Sequence, residues 1–287
     1  MVRPLTLADT ADARSLLRAR PLRNVFLDYV VSAGALGRAP GFFGFEARGR
    51  LMGIMLIGPL GGTALEVQDP AAHGPLADVA AHAYLRPRHI VGSEDVTQPF
   101  WDEYARHAPV LRWSRREPVF VMRAEDLARA SDGSRLVRVD AARLEEAEEI
   151  TENSAQQHRE DLGDDRYAAD EAGFMERHHR DVREGRWWVS RQRGKIVFQA
   201  HVGAASATAV QLGGVFVPSW ARGRGNATRG LRALAARMLE RHDMVTLYCD
   251  EANTAARRVY ERLGFRRVFS NRSYLLDEPL EGSSAPT

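Results

Sequence analysis

The stretch Gln211-Leu-Gly-Gly-Val-Phe-Val-Pro-Ser-Trp-Ala-Arg-Gly-Arg-Gly-Asn-Ala-Thr-Arg-Gly-Leu231 decides the reading of this chain. Val210 to Val217 is β-branched and apolar and predicts a strand. Pro218 cannot donate to a ladder and ends it. Arg222-Gly-Arg-Gly225 follows, a loop with no bulky side chain at alternate positions. After Asn226, residues Ala227, Leu231, Leu234, Ala235 and Met238 fall on one helical face. The order is strand, basic glycine turn, helix. A helix start offers unpaired N–H groups and the positive end of the macrodipole, and glycine lets a ligand approach the backbone. The stretch reads as a phosphate or diphosphate cradle. It lacks the Lys-Ser/Thr ending of a P-loop, and the third glycine and later acid of a dinucleotide fold.

Met244 to Glu251 predicts a second buried strand. Asn253 is placed to cap a helix in which Ala256, Val259, Tyr260 and Leu263 share a face and Gly264 stops the turn. Arg222-x-x-Gly225-x-Ala227, followed by Asn253, Ala256, Tyr260 and Gly264-Phe265, resembles the GNAT superfamily of acyl-CoA-dependent N-acyltransferases. The resemblance covers residues 136 to 276. It implies an α+β fold with a mixed, mainly antiparallel central sheet flanked by helices.

At 287 residues the length suggests two domains. A net charge of +2 gives no reason to expect a nucleic-acid partner. A lone cysteine, Cys249, allows no internal disulfide, and its place on a predicted strand suggests a small buried hydrophobe. No apolar leader is evident, and the most apolar window, residues 51 to 60, is too short to span a bilayer, so a cytoplasmic protein without a membrane partner is expected.

In the first half, residues 2 to 7 predict a strand, and Asp9 to Asp12 cap a helix bearing Ala13, Leu16 and Leu17. Residues 42 to 47 and 51 to 58 predict a hairpin turning at Arg48-Gly49-Arg50. Further strands are expected at 63–68, 89–92 and 119–123, and helices at 75–84 and 98–108. In the second half, a strand is expected at 136–140, a helix at 141–157, and a hairpin at 186–191 and 195–203 around Gln192-Arg-Gly194. The two halves repeat one order of elements, which suggests a tandem duplication. In the first half the cradle's place is held by Asp69-Pro-Ala-Ala-His-Gly-Pro, acidic and proline-rich, so that copy should be degenerate. The expected division is a degenerate GNAT-like domain at 1–124, a linker at 125–134, a catalytic domain at 135–276 and a disordered tail at 277–287.

The resemblance implies that acetyl-CoA is the acyl donor and a primary amine the acceptor. It implies that Val215, Phe216 and Val217 pair with the pantetheine, the N–H near Val217 facing the thioester carbonyl. Arg222, Gly223, Arg224, Gly225, Asn226, Ala227 and Thr228 would hold the diphosphate, and Asn253, Ala256 and Tyr260 would contact the cofactor. Gly213-Gly214 inside a strand suggests a bulge or a close backbone approach. Tyr260 reads either as a core tyrosine or as the acid for the leaving thiolate. The resemblance implies, in many relatives, a glutamate on the glycine-bearing strand; here Gln211 stands at the nearby position, so the base stays open among Glu251, Asp250 and His201. The carboxylates of residues 160 to 165 suggest a cationic acceptor or simply a solvated loop. His178-His179 have no metal-ligand spacing and read as surface, and no metal is expected. Trp187 and Trp188 alternate, so at most one is core and the other could line the acceptor cleft. A CoA-binding module without chemistry and a tandem acetyltransferase of the mycothiol-synthase type are the alternatives. The acceptor, acyl chain length and oligomeric state, monomer or homodimer, do not follow from the sequence.

Overall fold

A computed structural model of the chain describes residues 1–37, 41–107, 109–130, 137–163 and 166–277. The chain divides into two compact units. The first holds Met1–Val119, Tyr248–Asn253 and the described residues from Val268 on; the second holds Phe120–Leu247 and Thr254–Arg267.

In chain order the first ten elements are β1 (Val2–Pro4), α1 (Thr10–Arg18), α2 (Val25–Ser32), β2 (Phe42–Ala47), β3 (Arg50–Ile57), β4 (Gly62–Val67), α3 (His73–His82), β5 (His89–Ser93), α4 (Glu94–Tyr104) and β6 (Leu111–Met122). The remainder are α5 (Ala124–Arg129), β7 (Asp140–Ala141), α6 (Ala147–Leu162), α7 (Arg166–Ala169), α8 (Glu171–Arg183), β8 (Trp187–Gln192), β9 (Lys195–Ala205), β10 (Ala209–Phe216), α9 (Asn226–Leu239), β11 (Met244–Tyr248), α10 (Thr254–Arg262) and β12 (Arg266–Leu276).

The first unit's sheet runs β1-β2-β3-β4-β5-β12, antiparallel except for the β4–β5 pair. Arg48 and Gly49 both take positive φ, 52° and 71°, as the tight β2–β3 turn requires. Alternation along β3 sends Ile54 and Leu56 to α1 and α2, and Met55 and Ile57 to α3, α4 and Tyr274. The strand beside β5 is the last of the chain, with Tyr274 opposite Ile90. The second unit's sheet runs β11-β10-β9-β8-β7, with only β10–β11 parallel. Each unit thus contains a mixed, mainly antiparallel sheet flanked by helices.

In the second unit, α6 and α8 cover one face of the sheet. Ala147 and Ile150 of α6 and Val182 of α8 pack on Trp187 and Val189. Asn153 Nδ2 donates to Gln199 Oε1 at 3.0 Å, and Gln199 Nε2 donates to Ser154 Oγ at 3.2 Å, a buried network that fixes α6 on β9. On the other face α9 packs against Phe198, so closely that a Cβ on Gly230 would lie 2.3 Å from the ring. The turn before α6 is tied by Glu146, whose carboxylate accepts from the Arg143 amide at 2.7 Å and pairs with Arg191. Burial opposes the charged form, but Arg191 and Arg143 outweigh it and hold the Glu146 pKa at about 2.

Several local expectations are corrected. The strand expected at 136–140 is reduced to Asp140–Ala141; residue 136 lies outside the described residues. The first part of the expected linker is helical: Asp126, buried at 4 %, accepts the Arg123 amide and caps α5. Residues 131–134 and the tail beyond 277 lie outside the described residues. Helix α4 starts at Glu94 rather than residue 98 and carries Pro99 within it. Helix α6 starts at Ala147 rather than 141, after a 3-10 turn. Helices α2 and α8 were not expected. Cys249 lies just beyond β11 and is half-buried, not enclosed in a strand.

Candidate active site

Strand β10 pairs with β11 only over Ala209, Val210 and Gln211, yet β10 runs on to Phe216. Its other edge stays paired with β9 but slips: Gly213 faces His201, and Phe216 faces Gln199. Three steps on β10 against two on β9 make a bulge at Gly214 and Val215. Gly214 takes φ 55°. A Cβ on it would lie 2.9 Å from Trp187 Cη2, so the bulge requires glycine there. A Cβ on Gly213 would meet nothing within 4 Å. The expected bulge is present.

Beyond the bulge, Val217 C=O accepts from Arg222 Nε at 3.0 Å. Arg222 also lies over the Phe216 ring at 5.3 Å and donates to Glu160 Oε2 at 2.6 Å. The Arg222 guanidinium therefore ties the loop to α6. Gly223 and Gly225 both take φ 72°, and Gly225 stands as the left-handed cap before α9. Asn226 is buried; its Nδ2 donates to Ala221 C=O at 2.9 Å, and its Oδ1 accepts from Arg229 Nη2 at 2.8 Å. Arg229 N–H bonds Gly225 C=O at 3.0 Å. Among the described residues, the six amides from 223 to 228 have no acceptor in the protein, nor has the Val217 N–H. Arg224 is exposed and its side chain has no partner among the described residues. Consecutive free amides, a helix N-terminus and two flanking guanidiniums suit a diphosphate. Sequence reasoning missed Arg229, one helical turn in, whose orientation toward Gly225 is set by Asn226.

The matching position in the first unit is built to the opposite end. Asp69 Oδ1 accepts the Ala71 amide at 3.0 Å and caps the turn that leads into α3. A carboxylate already occupies the place where an anion would bind.

Tyr260 is 5 % exposed, with Phe120 edge-on at 5.5 Å and Phe265 at 6.0 Å. Its helix ends as expected, with Gly264 at φ 90° and Phe265 N–H bonding Tyr260 C=O at 3.0 Å. Ala256 is half-buried on the same helix. Asn253 precedes α10 and is counted with the first unit, its N–H on Asp250 C=O at 2.9 Å. Glu251 belongs to that unit too: its N–H bonds Arg116 C=O at 2.9 Å and its carboxylate lies 3.8 Å from the Arg116 guanidinium. Asp250 pairs with Arg115 at 3.2 Å.

On the α6–α8 face, a cluster surrounds the bulge that the sequence did not show. His178, expected at the surface, is half-buried and stacks on Trp187 at 5.5 Å; its Nδ1 bonds Phe174 C=O at 2.8 Å. Burial pushes the His178 imidazole pKa down, against the opposing effects of the Phe174 carbonyl and Asp181. Trp187 is buried and tilts over His201 at 4.9 Å, while Trp188 lies on the α9 face beneath Arg237. The buried tryptophan, not the more exposed one, is the one beside the bulge. His201 Nε2 lies 3.3 Å from Asp181 Oδ2, a close contact without well-aligned hydrogen-bond geometry.

Residues 199–274 match the family described as FR47-like protein. Solved structures match over nearly the whole chain. One is an acetyltransferase from the GNAT family of Colwellia psychrerythraea, at 13 % identity and TM-score 0.62, covering 96 % of this chain and 100 % of that one. The chain has a tandem GNAT fold. A GCN5-related N-acetyltransferase from Sphaerobacter thermophilus matches at 15 % identity and TM-score 0.58, covering 96 % of this chain and 94 % of its own. A tandem GNAT protein from the clavulanic acid biosynthesis pathway matches at 14 % identity and TM-score 0.56, covering 98 % and 99 %. No curated protein matches this chain. Among the described residues of this GNAT fold, no helix is long and apolar enough to cross a membrane.

Proposed function

We propose that the chain is an acetyl-CoA-dependent N-acetyltransferase whose second unit carries the chemistry. One observation carries the proposal: β10 leaves the β11 ladder after Gln211 and leads, through a bulge, into six consecutive amides with no acceptor among the described residues. The pantetheine amides would pair with the backbone at Val215 to Val217, as an added strand does. The diphosphate would lie on the 223–228 amides, with Arg224 and Arg229 supplying charge. The Val217 N–H would donate to the oxygen of the thioester as it gains charge. Ala256 would border the cofactor on α10. Tyr260 would give its hydroxyl proton to the leaving thiolate. Glu251 fits a base poorly, since it would first have to release Arg116.

The first unit is proposed to be a non-catalytic copy, because Asp69 fills its anion position. The test is incubation with acetyl-CoA and a panel of primary amines, with mass-spectrometric detection of a product 42 Da heavier, about one acetyl group. Tyr260→Phe should lower kcat by about 10- to 100-fold and leave acetyl-CoA affinity unchanged. An unchanged kcat at every pH would remove Tyr260 from the chemistry.

A further inference from the structure

Glycine clears a space on both sides of His201. Gly213 lies directly opposite it on β10, and a Cβ there would meet nothing within 4 Å. Gly203 lies two residues on along β9, and a Cβ there would come within 3.8 Å of His201 Nδ1. The other ring nitrogen, Nε2, is enclosed and faces Asp181 Oδ2 at 3.3 Å. The ring is held between these by Trp187 at 4.9 Å. Asp181 comes from α8 and is half-buried. Burial would push its carboxyl up, but His201, with Arg186 and Arg180, holds it below the usual carboxylate range, so it is ionised at neutral pH. An anion beside Nε2 favours the tautomer with hydrogen on Nε2 and leaves the Nδ1 lone pair on the side that Gly203 keeps clear.

We propose that His201, oriented by Asp181, is the base that deprotonates the acceptor amine. This rests on the acetyltransferase reading and names a residue for a role which that reading leaves open. The amine enters as an ammonium in the space that Gly203 and Gly213 leave beside the ring. It gives one proton to His201 Nδ1, and the freed nitrogen lone pair forms the C–N bond to the thioester carbonyl. The C–S bond breaks with its electron pair on sulfur, which takes a proton from Tyr260; the second nitrogen proton restores the tyrosine. The net change is ammonium plus acetyl-CoA to amide, free thiol and one proton, which leaves the imidazolium for water.

Other charged groups act on the neighbours of the ring: Arg177 on His178, and Arg180 and Arg186 on Asp181. Arg186, just before β8, is bonded at 2.7 Å to Glu184, just beyond α8, and reaches Gly203 C=O at 3.4 Å. From α6 comes His158, edge-on to Phe174 at 5.4 Å. None of these groups lies opposite Gly213 on the strand ladder, which is where His201 stands. His178 Nδ1 is already committed to a backbone carbonyl.

The experiment follows thiol release from acetyl-CoA with tyramine, lysine methyl ester and spermidine, from pH 5.5 to 9.5. It compares wild type with His201→Ala, His201→Gln and Asp181→Asn. Loss of His201 should lower kcat by about 100-fold or more, abolish the acidic limb of kcat/KM, and leave acetyl-CoA affinity by calorimetry unchanged. Added imidazole should restore turnover to His201→Ala at least tenfold, which a structural role would not allow. Asp181→Asn should lower kcat about tenfold with the KM for acetyl-CoA unchanged, because the imidazole loses the carboxylate that orients it. Should His201→Ala fail to fold, His201→Gln carries the same pH readout. Turnover within threefold of wild type with the same acidic limb overturns the role of His201 while the acetyltransferase reading stands. No heat with acetyl-CoA and no turnover from wild type overturn both.

Discussion

Gly213 and Gly214 are adjacent glycines with opposite requirements, and a matched pair of alanine variants separates them. At Gly214, alanine must hold φ 55°, which costs an L residue about 1–2 kcal/mol. Its Cβ would also lie 2.9 Å and 3.2 Å from Trp187 Cη2 and Cζ3. That ring cannot swing away, because it is 5 % exposed and held between His178 and His201. Overpacking against a fixed ring adds about 1–3 kcal/mol, for a total of about 2–5 kcal/mol. In a unit of this size that is a fall in Tm of roughly 5–15 °C. Gly213→Ala meets no atom within 4 Å and needs no positive φ, so it should change stability by less than about 0.5 kcal/mol. Thermal melts of both variants by circular dichroism read the difference. If Gly214→Ala melts within 1 °C of wild type, or Gly213→Ala falls as far, the bulge is not where the register places it.

Other outcomes follow from the same geometry. The Arg222–Glu160 pair is 45 % and 40 % exposed in its side chains, so Arg222→Ala should cost only about 0.2–1 kcal/mol from the ion pair. It should nevertheless weaken acetyl-CoA binding severalfold, because the loop loses its tie to Val217; titration calorimetry beside a melt distinguishes the two effects. Glu146 has its folded pKa lowered from 4.5 to about 2. The stabilisation from its pairing is present above the unfolded pKa and is lost as pH falls through the folded one. Wild type should therefore lose about 1–3 kcal/mol between pH 5 and pH 2 that Glu146→Gln, already weaker at pH 7, does not lose; denaturant melts across that range decide it.

The strand–loop–helix at the centre of the second unit was legible because each signal is local. A β-branched run makes β10, paired glycines permit a bulge, and Gly225 then takes the left-handed cap that lets α9 begin. The α10 stop at Gly264 is equally local. Side-chain commitments were not. Arg222 reads as a phosphate ligand until Glu160, 62 residues away, is seen to hold it. Helix α8 is too polar to announce itself, and only its packing turns His178 and Asp181 toward Trp187 and His201. Helix α2, Val25–Ser32, is nearly all apolar and so shows no helical period. That β12 rather than β6 closes the first unit's sheet beside β5 depends on long-range pairing, to which alternation within a strand is blind.

The grip of the α9 N-terminus on a diphosphate is tested most directly by titration calorimetry of the purified protein with acetyl-CoA and, separately, with acetyl-pantetheine, which carries the thioester but no diphosphate. Binding of acetyl-CoA at micromolar concentration is expected, weakened at least tenfold for acetyl-pantetheine and for Gly225→Val. Equal affinity for the two compounds, or no heat from either, would contradict it.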